Sequence, residues 1–223
     1  SDSIDHKEFE AKMQKLMDQY ISAEEMIRIT NPVDIMDEQA FEEELDRLKT
    51  PRAKADAIRT RISKRIEAKY DENPAYYRKF SERIEAVLKA YKEKRISEKD
   101  YLKKMREILK DFRSGTSGIR YPANIRQNPH AQAFYGVVTD IIGKFHDLSG
   151  KEELMGELSL KIEEIIKKHS KVDWHHNIEV HKRIEQDLDD LLYDFGKEHQ
   201  LELNLDQIDQ IIETVKTVAL NRF

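Results

Sequence analysis

The chain has no cysteine among its 223 residues. That excludes a disulfide framework and thiolate zinc sites, and it fits a reducing cytoplasm. Glycine and proline are scarce, at seven and five residues, so there are few points at which a helix must stop. Aromatic residues make up only 8%. No apolar run approaches the roughly 20 residues that a membrane span needs, and no signal peptide is visible. Catalytic signatures are missing too. Gly150-Lys151 lacks the upstream glycine and the following serine or threonine of a phosphate-cradling loop. No Gly-x-Ser-x-Gly, His-Glu-x-x-His or glycine-rich dinucleotide loop occurs, and no pair of Glu-x-x-His helices that would hold two irons. The chain opens on Ser1 without an initiator methionine, as a fragment or processed chain would.

What is present is charge. Charged residues are 37% of the chain and hydrophobic ones 39%, which suits long helices with wide solvated faces. Aromatic and branched apolar residues recur at regular spacing, so the composition is not that of a disordered chain. The net charge of -5 hides a strong asymmetry. Residues 49–113 carry 21 lysines and arginines against 11 acids, whereas residues 1–48 carry 5 against 14 and residues 114–223 carry 13 against 19. A basic block between acidic flanks has two readings. It binds nucleic acid, or it meets the acidic flanks inside the same fold.

Periodicity predicts helices almost throughout. The first covers 4–29, with Phe9, Met13, Leu16, Met17 and Tyr20 as its apolar stripe, and Asn31-Pro32 ends it. A second runs from Asp34 to Leu48. Thr50 then stands as a cap before Pro51, and Ile58, Ile62 and Ile66 recur every four residues up to Tyr70. Asn73-Pro74 opens a helix to about Lys94. Ser97 caps the next, with Leu102, Met105, Leu109 and Phe112 inward and Gly115 at its C-terminal end. After a stretch rich in helix breakers, Asn128-Pro129 starts a helix through Phe145. Ser149-Gly150 is a turn, and Lys151 to Ser170 is helical. Asp173 reads as the cap of a helix ending at Gly196, with Ile178, Ile184, Leu188, Leu191 and Phe195 inward. Gln200 to Leu205 alternates and reads as extended, and Asp206 caps the final helix. The expected fold is therefore all-α, a multi-helix bundle. Two helical subdomains, 1–113 and 130–223, would hinge at a linker over 114–129.

Several groups of residues are weighed for function. Arg59, Arg61, Lys64 and Arg65 lie on the surface of the helix from 52 to 69 and could contact duplex DNA. His175, His176 and His181 are close in sequence, but a spacing of five turns two of them apart on a helix, and they read as solvated or supporting histidines. Trp174, the only tryptophan, is either a staple on the turn that follows or an interface anchor. Phe134 and Tyr135 precede Gly136, whose small size would allow close helix crossing; with Trp174 they are the partner-interface candidates. Arg120, Tyr121 and Arg126 are a weak match to a base-stacking platform. Glu67-Ala68-Lys69-Tyr70-Asp71 is the nearest approach to a nuclease triad, but a helix is the wrong support for it. No catalytic, cofactor-binding or metal residue is assigned.

Three stretches together carry a family resemblance. They are Leu48-Lys49-Thr50-Pro51-Arg52-Ala53-Lys54-Ala55 with its isoleucine-rich basic helix, Glu72-Asn73-Pro74-Ala75-Tyr76-Tyr77-Arg78-Lys79-Phe80-Ser81-Glu82-Arg83-Ile84, and Asn128-Pro129-His130-Ala131-Gln132-Ala133-Phe134-Tyr135-Gly136. Their order and spacing resemble the C-terminal helical region of the restriction subunit, the R or motor and nuclease subunit, of type I restriction enzymes. Val172-Asp173-Trp174 ahead of a charged helix fits as well. That helix departs from the family's commonly basic pattern, since it runs Glu185-Gln186-Asp187-Leu188-Asp189-Asp190. The resemblance implies a parent subunit whose upstream domains cut and translocate DNA with ATP and magnesium. The C-terminal helices would attach that motor to the methyltransferase and specificity subunits, in the cytoplasm and away from membranes. An independent enzyme has no set of residues behind it.

Overall fold

A computed structural model describes residues 33–171 and 173–223. The helix expected over 4–29 and Val172 lie outside the described residues. Among the described residues there are eight α-helices, three short 3-10 turns and no strand, so the fold is all-α. They form two compact units. Of the described residues, the first takes 33–69 together with Tyr77–Gly118, and the second takes Tyr70–Tyr76 together with Ile119–Phe223.

The first unit contains α1 (Glu38–Asp46), α2 (Pro51–Lys69), most of α3 (Pro74–Lys92) and α4 (Glu98–Ser114). Its starts and stops follow local chemistry. The Asp37 side chain caps α1 at Ala40 N, and Thr50 Oγ1 accepts from Ala53 N at 3.1 Å ahead of Pro51. Ser97 and Asp100 form a reciprocal capping box on α4, which ends at Gly115 in the left-handed region (φ 74). The isoleucines spaced by four on α2 are fully buried, and α2 packs along α4. Two aromatic pairs add α3 to that seam: Phe80 meets Phe112 edge-on at 5.0 Å, and Tyr91 stacks on Tyr101 at 4.5 Å.

The second unit is built around α5 (Pro129–Ile142), which is buried on nearly every side from Ala131 to Val138. Helices α6 (Glu152–His169) and α8 (Leu205–Arg222) flank it, and α7 (Ile178–His199) packs on both of these. Each fully buried Ile, Val or Phe contributes about 1.5–3 kcal/mol relative to exposure. Two glycines permit close approaches. A Cβ on Gly136 would stand 2.6 Å from the Ala75 Cβ, so the expected close crossing is real and its partner is the segment 73–76. A Cβ on Gly156 would clash with the Asn124 carboxamide, whose Nδ2 donates to Glu153 O at 2.9 Å. The last turn of α8 then ties its neighbours down. Arg222 donates to Glu72 O at 2.9 Å and to Pro129 O at 3.0 Å.

Helix ends in the C-terminal third differ from expectation. Asp173 is not a cap; it sits at φ 62 ahead of a 3-10 turn, Trp174–His176, and Asn177 caps α7 by accepting from Glu179 N and Val180 N. Gly196 is internal to α7, which runs on to His199, and Gln200 supplies the left-handed residue at φ 56. A Cβ on Gly196 would meet Leu201 O at 3.0 Å, so this glycine lets the chain fold back rather than ending the helix. Asn204, not Asp206, caps α8, in a capping box with Gln207. Ile178, expected inward, is 71% exposed.

Candidate functional site

The four basic candidates on α2 share a helix but not an environment. Arg59 is 1% exposed. Its Nε lies 3.6 Å from Asp56 Oδ1, and Tyr101 donates its phenol proton to the same oxygen at 3.0 Å. Burial, then the charge of Asp56, holds the Tyr101 phenol far above its usual value, so it stays a donor at any physiological pH. A guanidinium inside this network has no route to a phosphate. Arg61 donates to Glu44 Oε1 at 2.6 Å and to Val33 O at 2.9 Å, and Arg65 donates to Asp34 Oδ1 at 3.1 Å. Lys64 alone of the four is fully exposed.

The acidic partners of Arg61 and Arg65 lie in the short acidic stretch just before α2, whereas Asp56, beside Arg59, is on α2 itself. Arg106 of α4 reaches back to the same stretch, donating to both carboxylate oxygens of Glu42 at 2.8 Å, and Arg113 donates to Ile35 O at 2.6 Å. Lys54 joins Asp46 at 3.1 Å. Residues 34–46 therefore neutralise Lys54, Arg61, Arg65 and Arg106 of the block at short range. Arg61 and Glu44 are both largely covered, which makes their pair worth more than an exposed one; open pairs such as Arg65 with Asp34 contribute about 0–1 kcal/mol.

The partner-interface candidates are inside the second unit. Phe134 is 0% exposed, with its ring 6.3 Å from that of Phe223. Tyr135 is buried with Tyr121 edge-on at 5.9 Å, and burial, reinforced by Glu152 and Glu153, raises its phenol pKa. Trp174 is 4% exposed and its ring packs on His175 and on His181, the latter lying within the first turn of α7. His181 Nε2 lies 3.1 Å from Trp174 O. These three side chains build the core and offer no surface to a partner. Tyr121 is likewise packed on Tyr135, so it does not form a stacking platform with Arg120 and Arg126. Among the described residues no group of three His, Asp or Glu side chains is placed to hold a metal ion, and no helix is long and apolar enough to cross a membrane.

The second unit has one buried carboxylate of note. Glu163 of α6 accepts from the Asn128 side chain, which itself caps α5 at His130 N and Ala131 N, and Lys167 sits 2.6 Å from its other oxygen. This is structural chemistry: an acid holding a cap in place. Sequence reasoning found Asn128 from its place before Pro129, but nothing local marks Glu163 as its partner.

The model for the C-terminal region of type I restriction enzyme HindI endonuclease subunit-like proteins matches residues 1–220. The chain belongs to this family. No curated protein and no solved structure matches it. Type I restriction enzymes are multi-subunit complexes, and the match spans both helical units of the chain.

Proposed function

We propose that the chain is a non-catalytic helical module of a type I restriction R subunit, and that it docks the ATP-driven motor onto the methyltransferase–specificity core. The observation that carries this reading is the family match across residues 1–220. The structure supports it physically. Two helical units expose long faces, and helix-face contacts reach the size of a stable interface without any reacting group. ATP and magnesium would act in the motor domains of the parent subunit. The targets for mutation are the exposed apolar side chains of the second unit, Phe145, Ile178, Tyr193 and Leu205, rather than Phe134, Tyr135 or Trp174, whose loss would unfold the core. Gel filtration of the chain with its cognate methyltransferase–specificity core tests the reading. Co-elution at micromolar concentration is expected, and separate elution of the two would refute docking.

The second reading places duplex DNA on the 52–69 helix. Arg59 is enclosed and Arg61 and Arg65 are engaged by carboxylates, which leaves Lys64 as its main exposed contact.

A further inference from the structure

The cations of the first unit fall into two classes. On α2, Arg52, Lys54, Arg59, Arg61 and Arg65 sit beside carboxylates, and Lys64 is exposed without one within 4.0 Å among the described residues. On α3, Arg78, Lys79, Arg83 and Lys89 do the same. Helix α4 is different. Its acids are largely engaged: Asp100 in the capping box and Asp111 by Arg83. Yet Lys99, Lys103 and Lys110 are exposed and, among the described residues, none has a carboxylate within 4.0 Å. At 100° per residue the three fall within an arc of about 40° on one face. Arg106 stands between them, paired with Glu42. Leu102 lies partly buried along this face, and Glu107 is the acid beside it.

We infer that this lysine face of α4 binds the phosphodiester backbone of duplex DNA, without regard to sequence. The geometry favours a duplex over other polyanions. Lys99 and Lys110 are separated by roughly 16 Å along a straight helix, enough to bridge the major groove, about 12 Å wide, and to reach phosphates on both walls. The face carries no exposed aromatic, because Tyr101 and Phe112 point into the core; a single strand would find no ring to stack on. It carries no large exposed apolar side chain for insertion into a lipid surface either, since those of the described residues are Met36, Phe145, Ile178, Tyr193 and Leu205. Lysines are point charges on flexible stems, suited to phosphate rather than to paired hydrogen bonding with a base edge. The contact therefore adds affinity and leaves target choice to other parts of the enzyme.

This surface is separate from the docking reading, and its test needs no partner protein. Fluorescence anisotropy of a labelled duplex of roughly two turns is titrated with the 223-residue chain over a range of salt. The expected result is binding at low salt that falls steeply, with a log–log slope of about -2 to -3 for three phosphate contacts. The variant Lys99→Glu/Lys103→Glu/Lys110→Glu is expected to bind at least tenfold more weakly. The milder Lys99→Gln/Lys103→Gln/Lys110→Gln keeps the comparison open if the reversal disturbs folding, which circular dichroism checks. A control, Lys171→Glu/Lys182→Glu/Arg183→Glu, makes the same change in net charge on exposed residues of the second unit and should bind as the parent does. No binding at low salt, equal loss in the control, equal affinity for a single strand of the same length, or tighter binding to phosphatidylserine-containing vesicles would each overturn the proposal.

Discussion

The two units hold themselves together by different means. The first is a helical layer with an apolar seam of isoleucines and aromatic rings, bordered by ion pairs that run between its elements. Its acidic segment 34–46 clasps arginines of α2 and α4, and one pair, Arg59 with Asp56, is carried inside under the Tyr101 hydroxyl. The second flanks an apolar α5 with two helices and lays α7 against both; its buried polar groups serve helix caps and carbonyls, as Asn128, Glu163 and Arg222 show, and its ion pairs between helices, such as Lys168 with Asp187, lie nearer the surface. The difference explains why a basic block in the sequence is not a basic surface. Most of its charge is consumed by neighbours, and what remains free is concentrated on α4. Charge density along a chain marks a binding surface only after the ion pairs have been subtracted.

That contrast can be broken from its apolar side first. Phe134→Ala should cost the second unit about 3–5 kcal/mol, because the ring is enclosed and its cavity has little room to collapse. Urea titration followed by Trp174 fluorescence reads this loss, since the sole tryptophan lies in the same unit. In the first unit the corresponding weak point is ionic. Asp56→Ala should cost about 3 kcal/mol by removing the carboxylate that faces the buried Arg59 guanidinium and accepts from Tyr101, whereas Asp56→Ala/Arg59→Met should recover part of it. A double-mutant cycle by circular dichroism checks the recovery; equal losses in single and double variants would show that the pair is not what holds the layer. Gly156→Ala should cost roughly 1–3 kcal/mol, because the Asn124 carboxamide has to move and lose its bond to Glu153 O. Arg65→Ala, at an open pair, should cost under about 1 kcal/mol and vanish into the error at high salt.

A pH effect sharpens the same comparison. Hydrogen bonds from His169 and then Lys168 hold the Asp187 carboxyl below its ordinary value of 3.8. A depressed carboxyl stabilises the fold while it is ionised. Its contribution is therefore complete above pH 3.8 and is lost as pH falls through the lower folded value. Asp187→Asn should flatten the acid limb of the unfolding midpoint against pH. An unchanged acid limb would remove Asp187 from the account.

Much of the architecture was readable from local signals. Thr50-Pro51, Ser97, Gly115 and Asn128-Pro129 each mark a helix end with a hydrogen bond or a backbone angle that involves only near neighbours. The errors arose where two local signals competed. Asp173 and Asn177 both precede apolar residues, and only the second has its oxygen within reach of two free amides of α7. Gly196 looked like a terminator because glycine usually supplies the left-handed residue, but here its missing side chain makes room for Leu201 while Gln200 takes the strained position. The candidate sites were harder to read, because exposure depends on partners distant in sequence. Nothing near Arg59 announces that Tyr101 lies over its partner Asp56, and nothing near Lys103 announces that no acid comes to meet it.

The most direct measurement is a titration of the labelled chain, and of its Lys99→Glu/Lys103→Glu/Lys110→Glu variant, against the methyltransferase–specificity core at physiological salt with no DNA present. Saturable binding that is the same for both proteins is the predicted result, since docking and the lysine face are separate surfaces. Absence of binding until duplex DNA is added would contradict it, and would make this chain a DNA-contacting element rather than the joint of the complex.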